Sequence, residues 1–208
     1  MALKTLRSIL TISVTVILIG VLLPAERAQA LSRSSISQYP PDLVTCVSHV
    51  RNGQSGELRG LYVPELFALP VVQQPAGDHQ FVSPRHNIVT QFDLASRFGS
   101  IGLLAHNYLA GQDFSLLEKD QIFYLVYGDG RLSAFIVTGI SRYQALEPES
   151  TSSRFVRLQD GAVLTTSELF AEVYHQDGNV VLQTCISRDN HLSWGRLFIT
   201  AEPYSLVP

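Results

Sequence analysis

Most hydrophobic residues of this chain fall into short apolar runs that are separated by polar, Gly- and Pro-containing segments. Short apolar runs bounded by turn residues are typical of β-strands. This pattern predicts strands over residues 43–50, 60–63, 66–72, 101–106, 121–127, 132–140, 180–185 and 196–199. Gly128-Asp129-Gly130, between two of these runs, is a hairpin-turn signal.

Two segments have helical rather than alternating spacing. Residues 87–98 carry apolar side chains three and four positions apart, so we predict a short helix that ends before Gly99. Ser167 and Glu168 open a second short helical pattern that continues to Tyr174. The segments between these elements, 73–84, 107–120 and 143–154, are predicted to be loops. Many short strands, frequent turns and two short helices describe a mainly β protein, a small barrel or sandwich, rather than a βαβ sheet.

The N-terminus has the features of an export signal. A basic start precedes an apolar stretch over 9–23, and Ala28-Gln29-Ala30 fits a small-x-small cleavage site. The apolar stretch is shorter than the ~20 residues that a membrane-spanning helix needs. We therefore predict a signal peptide over 1–30, a linker over 31–42 and one domain over 43–208. The alternative is an uncleaved N-terminal anchor. Both place the domain outside the cytoplasm, secreted or held at the outer face of the cell membrane.

The charge balance narrows the class of partner. The chain has 15 basic and 18 acidic residues, a net charge of −3, and the leader holds more basic than acidic residues. An acidic balance argues against nucleic acid or an anionic surface as the main partner. Five of the histidines lie in polar or turn-like stretches without zinc-ligand spacing, so we predict no metal and no other cofactor: His49, His79, His86, His175 and His191.

The two cysteines, Cys46 and Cys185, have two interpretations. In an exported protein a pair of cysteines first suggests a disulfide. If they were bridged, Cys185 would be a structural cross-link and could not be a nucleophile.

Three residues at the ends of predicted strands carry chemistry that could form one site. Cys185 closes one strand and Arg196 opens the next, while His106 closes the run 101–106. A thiol is a nucleophile as its thiolate, which neighbouring positive charge favours. A guanidinium stays charged and offers five donors that can hold an oxyanion. An imidazole can serve as the acid and the base.

The segments around these residues resemble the sortases, the cysteine transpeptidases of Gram-positive-type cell envelopes. The matching segments are Leu182-Gln183-Thr184-Cys185, Gly195-Arg196-Leu197-Phe198-Ile199 and Leu104-Ala105-His106-Asn107. Residues 114–122 also look like the family's segment after the His. The chain departs from the family pattern at Ala105, where Gly is usual, and at the first Thr of the Cys motif, which is replaced. The resemblance covers about residues 60–203.

The resemblance implies a closed eight-stranded β-barrel with one or two short helices and a transpeptidase reaction. Cys185 would attack a peptide bond of a surface protein's sorting signal and form a thioacyl-enzyme. His106 would protonate the departing amine and then deprotonate the acceptor amine, from a pilin or a cell-wall precursor. Arg196 would donate hydrogen bonds to the carbonyl oxygen. The resemblance also makes a Cys46–Cys185 disulfide less expected.

Alternatives remain at this point. One is a non-catalytic sortase-fold module that binds the envelope and has Cys185 bonded to Cys46. Another is a cysteine peptidase that only hydrolyses. An L,D-transpeptidase is disfavoured because Thr184, rather than a His-Gly pair, precedes the Cys. Some sortases bind calcium, but the candidate carboxylates are too scattered for a calcium loop: Asp113, Asp120 and Asp129.

Overall fold

The computed structural model describes residues 41–205. The strands are β1 Leu58–Val63, β2 Phe67–Gln73, β3 Val89–Phe92, β4 Ile101–Leu104, β5 Ile122–Tyr127, β6 Leu132–Ala145, β7 Phe155–Arg157, β8 Val163–Leu164, β9 Val180–Arg188 and β10 His191–Pro203. The helices are α1 Leu43–Val50, α2 Asp93–Ser96, α3 Thr166–Tyr174 and a 3-10 helix, Ala110–Leu116. None of the helices in this range is long and apolar enough to cross a membrane. The predicted signal peptide, and the linker up to residue 40, lie outside the described residues and stay predictions.

Eight of the strands close into a barrel. Hydrogen-bonded neighbours follow the order β10-β9-β4-β3-β2-β1-β5-β6, and β6 pairs again with β10. The pairs β2–β3 and β4–β9 are parallel, and the other neighbours in the ring are antiparallel. β7 and β8 continue the sheet outward from β6. The predicted mainly β, closed eight-stranded barrel is therefore confirmed, and its closure leaves these strands without exposed edges.

Side chains alternate between the barrel interior and its outer surface. Along β9, Val180 and Leu182 lie in the interior core, whereas Val181 belongs to a second buried cluster outside the barrel. That outer cluster also contains Phe198 of β10 and Tyr174 of α3, whose ring centroids are 6.3 Å apart. The alternation along β9 and β10 determines the face on which each residue of the candidate site lies.

Residues 43–50 form helix α1, so the predicted first strand is wrong. Asp42 caps the helix, because its side chain accepts the backbone N–H of Thr45 at 2.9 Å. Cys46 and Val50, four residues apart on one face, are buried against Val126 of β5. The valines of this run favour a strand, but the cap and the four-residue spacing of the buried side chains decide for a helix.

The predicted helix over 87–98 is also wrong in its first half. The chain forms strand β3, which fills the gap between β2 and β4, and only then the single turn α2. Val89 and Thr90 are fully buried in the sheet. The apolar spacing was helical only because a buried strand and a short helix follow each other directly. The helical turn ends at Ser96 rather than at Phe98, and Gly99, with φ +84°, lies in the turn that follows it.

Other boundaries also differ from the prediction: β4 ends at Leu104, two residues before the predicted end at His106, and β6 runs longer than its apolar core. β6 continues to Ala145, and Tyr143, predicted to lie in an exposed loop, is buried in the outer cluster. The predicted loop over 107–120 contains the 3-10 helix. Helix α3 is confirmed, with a capping box between Thr165 and Glu168.

Candidate active site

Cys185 and Arg196 are direct neighbours on two antiparallel strands. They are Cα partners in the β9–β10 ladder. Residues opposite each other in such a ladder point to the same face, with Cα atoms about 4.5–5.5 Å apart. Because Leu182 of β9 and Leu197 of β10 face the interior, the alternation directs Cys185 and Arg196 to the outer surface of the barrel.

His106 reaches the same place from the other side of β9. The parallel β4–β9 register pairs Leu104 with Gln183, and the Ala105 N–H still donates to the Gln183 carbonyl at 3.3 Å. His106 lies two residues past the end of β4 at Leu104, and it is partly exposed whereas Ala105 is buried in the interior core. The structure therefore brings Cys185 and Arg196 together on β9 and β10, and it brings the backbone of His106 to the edge of the same strand β9.

The backbone around His106 is tied closely to β9. The buried hydroxyl of Thr184 donates to the carbonyl of Ala105 at 2.8 Å. The N–H groups of Leu109 and Gly111 both donate to the His106 carbonyl at 2.9 Å. A Cβ at Gly111 would overlap the Thr184 hydroxyl and lie 2.7 Å from the carbonyl oxygens of Ala105 and His106. Only glycine lets the 3-10 helix approach β9 this closely.

Two more contacts fix the surroundings of His106. Its ring stacks on Tyr108, with ring centroids 5.2 Å apart and an interplanar angle of 20°. Asn107 donates from Nδ2 to Ser187 Oγ at 2.6 Å and to the Leu192 carbonyl at 2.9 Å, which joins this segment to the β9–β10 hairpin. The roles of Thr184 and Asn107 were missed from sequence, although both residues lie in the motif segments.

The guanidinium of Arg196 is oriented by backbone carbonyls. Its Nη1 donates to the carbonyls of Ser193 at 3.0 Å and Gly195 at 2.9 Å. Its Cζ lies 5.9 Å from the centre of the Phe155 ring. Within residues 41–205 Arg196 has no carboxylate partner, and Nε and Nη2 donate to no protein atom of that range. These donors are therefore available to a substrate oxygen.

A hollow of about 150 Å³ lies on the outer surface beside Arg196, and we call it the outer hollow. Its walls are mixed: they include the rings of Phe155, Phe170 and Phe198 and also polar side chains such as Thr166 and Gln183. Tyr174 forms part of the wall and donates its hydroxyl to the side chain of Gln183 at 2.6 Å. Burial raises the pKa of Tyr174, so its hydroxyl stays a neutral donor at ordinary pH.

Helix α3, which forms one wall of the outer hollow, is anchored to the sheet by a polar network. The buried Tyr143 of β6 donates its hydroxyl to Glu172 of α3 at 2.7 Å. Arg157 of β7 forms ion pairs with both Glu172 and Asp160. Burial, followed by the hydrogen bond to Glu172, raises the pKa of Tyr143. The wall is thus held by charge-assisted bonds as well as by apolar packing.

A second hollow, of about 290 Å³, opens at the end of the barrel, and we call it the mouth hollow. It is lined by Cys185 and Thr184 of β9, Leu197 of β10, Arg142 of β6 and residues of the 3-10 helix. Thr184 and Leu197 belong to the interior-facing set of their strands, whereas the outer hollow is lined by the outward-facing set. Cys185 lines the mouth hollow, whereas its strand neighbours Gln183 and Arg196 line the outer hollow.

The two cysteines are not bonded to each other. Both are free; Cys46 is buried and Cys185 is partly exposed. Cys46 packs against Val126 on the β1/β5 side, and β1 lies across the closed ring from β9. A disulfide needs Cα atoms within about 7 Å, so the fold excludes this bridge. The disulfide interpretation is therefore wrong, and so is the part of the binding-module alternative that required this bond.

The carboxylates considered for calcium lie apart in the fold. Asp113 is in the 3-10 helix, Asp120 is in the turn before β5, and Asp129 is in the β5–β6 hairpin. The Asp129 side chain accepts the Arg131 N–H at 2.9 Å, which accounts for it as a turn residue. Among residues 41–205 no three His, Cys, Asp or Glu side chains form a group that could hold a metal ion.

No protein-family model and no curated protein matches the chain. Solved structures that match it include sortases. Sortase C1 of Streptococcus agalactiae in complex with MTSET is 17% identical, with a TM-score of 0.45, over 75% of this chain and 74% of that chain. Sortase C of Clostridium perfringens is 16% identical, with a TM-score of 0.44, over 79% and 89%. Sortase A of Corynebacterium diphtheriae is 15% identical, with a TM-score of 0.47, over 74% and 64%.

These matches are to the family that the motifs resemble. The likeness is one of fold, because each of the three identities is below 25% and each TM-score is below 0.5. We therefore argue the chemistry from the residues of this chain.

Proposed function

We propose that this protein is a sortase-like cysteine transpeptidase that acts outside the cytoplasm, at the cell envelope. The observation that supports the proposal is the strand register, which pairs Cys185 with Arg196 and joins the segment immediately before His106 to the strand of Cys185. A nucleophile, an acid/base group and an oxyanion donor are the three roles that amide exchange through a covalent intermediate requires.

In the first step the Cys185 thiolate attacks the carbonyl carbon of a peptide bond. The two unused N–H positions of Arg196 donate to the developing oxyanion, and one such donor contributes about 3 kcal/mol to lowering the barrier. The C–N bond then breaks, and protonated His106 gives its proton to the departing amine. The product is a thioester on Cys185. The outer hollow, with both aromatic and polar side chains in its walls, would receive side chains of the donor peptide, a sorting signal of a surface protein.

In the second step an amine of a pilin or a cell-wall precursor attacks the thioester. His106, now neutral, takes the proton of that amine, and the C–S bond breaks to release the thiolate. Water in place of the amine would give hydrolysis, so the same residues support both outcomes. An imidazole can give a proton from one ring nitrogen and accept one at the other, so His106 can serve as acid and then as base.

The first test is the reactivity of Cys185 with iodoacetamide across pH. We expect Cys185 to react in the native protein, with a pH profile that depends on His106. His106→Ala should shift that profile, whereas the control His191→Ala, at the exposed start of β10, should leave it unchanged. An unreactive Cys185, or a profile that His106→Ala leaves the same, would contradict the proposed chemistry.

The second test is trapping of the thioacyl adduct. The protein is incubated with a library of sorting-signal-type peptides, and acyl adducts are detected by intact mass and released with hydroxylamine. Cys185→Ala should form none, while Cys46→Ala should form as much as the wild type. Arg196→Lys should lose most of the adduct, because an ammonium cannot reproduce the planar donor pair of the guanidinium. Arg188→Lys, on the same hairpin, is its matched control, and equal adduct in both lysine variants would remove Arg196 from the site.

A further inference from the structure

The mouth hollow opens directly onto Cys185 and shares no lining residue with the outer hollow. The hollow is bounded by the 3-10 helix and by the ends of β9, β10 and β6, and Cys185 is part of its lining. The bond from Thr184 to Ala105 and the packing of Gly111 fix its inner wall. A group in this hollow therefore reaches Cys185 without displacing a peptide from the outer hollow, which is what transfer to a second substrate requires.

The charged lining of the mouth hollow is positive, which favours a negatively charged ligand. The lining contains one arginine, Arg142, and no Asp or Glu. Its other polar side chains are uncharged and include Asn107, Gln112, Ser115 and Ser187. Within residues 41–205, Arg142 has no carboxylate within ion-pair distance, whereas Arg59 and Arg154 each have one and Arg157 has two. A guanidinium without a counter-charge that lines a hollow is suited to a carboxylate, which it can bind with two parallel N–H donors.

The strand pairing sets the distance between this charge and the nucleophile. Arg142 is the partner of Leu197, and Leu197 is the partner of Thr184, the residue before Cys185. Two strand spacings, about 10 Å, therefore separate the Cα atoms of Arg142 and Thr184. The Arg142 side chain covers part of that distance. The remaining gap fits an acceptor whose amine and carboxylate are one or two residues apart, since consecutive Cα atoms are about 3.8 Å apart.

We propose that the mouth hollow binds the amine acceptor, and that Arg142 holds a carboxylate which the acceptor carries one or two residues from its amine. The inference rests on the proposed thioacyl transfer and adds the acceptor's chemical class to it. The acceptor nitrogen attacks the thioester carbon, the C–S bond breaks, and the proton of the amine passes to His106. Arg142 takes no part in these bond changes and acts only in binding.

The experiment uses a small acyl group, so that the sorting signal need not be known. Cys185 of the Cys46→Ala protein is acetylated with p-nitrophenyl acetate, and the loss of the acetyl group is followed by intact mass. Two acceptors are compared, glycylglycine and glycylglycinamide, which differ in the terminal carboxylate. The measured quantity is the ratio of their rates of acetyl transfer in each variant. The intrinsic reactivity of each amine cancels when this ratio is compared between variants.

Arg142→Ala should lower the glycylglycine-to-glycylglycinamide ratio by about threefold to tenfold, the range for a partly exposed charged hydrogen bond. The matched control is Arg131→Ala, in the β5–β6 hairpin, where the arginine stacks on Tyr127 with its Cζ 3.9 Å from the ring centre. It should leave the ratio unchanged.

An unchanged ratio in Arg142→Ala, or an equal fall in Arg131→Ala, overturns the acceptor site but leaves the proposed function intact. An acetyl-enzyme that neither dipeptide attacks overturns the proposed transfer itself, and the acceptor site with it. The two failures are therefore distinguishable in one set of measurements.

Discussion

The hydrogen bond from Thr184 to Ala105 offers a direct test of how His106 is held beside Cys185. Thr184 is 5% exposed, and its hydroxyl donates to the Ala105 carbonyl at 2.8 Å. Thr184→Val preserves the branched shape of the side chain but removes the donor. The acceptor is the backbone carbonyl of Ala105, immediately before His106. If this carbonyl shifts to find another hydrogen-bond donor, His106 moves with it.

The expected cost follows from the burial of that carbonyl. A buried acceptor that loses its donor costs about 1–3 kcal/mol of the free energy of unfolding. Thr184→Ser keeps the donor and removes one methyl group, which costs about 0.8 kcal/mol. The two variants can thus be similar in stability, but they should differ at Cys185. Thr184→Val should lose the dependence of Cys185 reactivity on His106, and Thr184→Ser should retain it.

Urea unfolding measures the stability of each variant, and iodoacetamide labelling of Cys185 across pH measures its reactivity. Thr200→Val is the matched control on β10, because Thr200 donates to the Gly139 carbonyl at 3.4 Å, away from the site. It should cost less and leave the labelling profile unchanged. If Thr184→Val labels like the wild type at every pH, the bond does not position His106. If it also unfolds like the wild type, the carbonyl finds another partner at no cost.

Three other outcomes follow from the same geometry. Gly111→Ala should destabilise the protein by about 1–3 kcal/mol in thermal unfolding, because a Cβ there meets backbone carbonyls that cannot rotate away; a wild-type melting temperature would contradict this. In the native protein iodoacetamide should label Cys185 and leave Cys46, which is 4% exposed, unlabelled until the protein unfolds. Burial raises the pKa of Cys46 above its ordinary value of 9.0, so the folded state keeps a proton that the unfolded state loses. Stability from this thiol is complete below pH 9 and falls as pH rises through the folded-state pKa, and Cys46→Ala should reduce that slope in urea unfolding at pH 8 to 10.

The sequence predicted the strands best where the apolar runs were bounded by turns. β1, β2, β5 and α3 lie close to their predicted positions, because turn residues and a capping box mark their ends. Residues 43–50 were predicted as a strand and form helix α1, whereas β3 lies in a segment that was predicted as a helix. Each is a short apolar segment, and in such segments the packing partner, rather than local preference, decides between helix and strand. The barrel's closure came from the resemblance to sortases, since no local pattern shows that β6 returns to pair with β10.

The three candidate site residues could be proposed from the sequence because each lies at one end of an apolar run. The hydrogen bonds that hold the surrounding segments in place could not be predicted in this way. The bond from Thr184 to Ala105 joins residues 79 positions apart, and the bonds of Asn107 reach 80 and 85 positions along the chain. Pairing over such separations depends on register, which the sequence of either segment alone does not determine.

The β9–β10 pairing is the clearest case of a register that the two segments do not determine by themselves. Asp189 and Asn190, both with positive φ, form a two-residue turn that pairs Arg188 with His191. A regular ladder from that turn would place Trp194 opposite Cys185. The register instead shifts by two residues between His191 and Gly195, and this irregularity brings Arg196 opposite Cys185.

The same irregularity orients the guanidinium, because the carbonyls of Ser193 and Gly195 are the two acceptors of Arg196 Nη1. Gly195 is the signal in the sequence for this departure. A Cβ there would lie 2.5 Å from the Tyr143 carbonyl of β6, and glycine within a strand often marks a bulge or a close approach of two backbones. The alternation of side chains could therefore predict the face of Arg196, whereas its position opposite Cys185 depends on a bulge that only the folded barrel fixes.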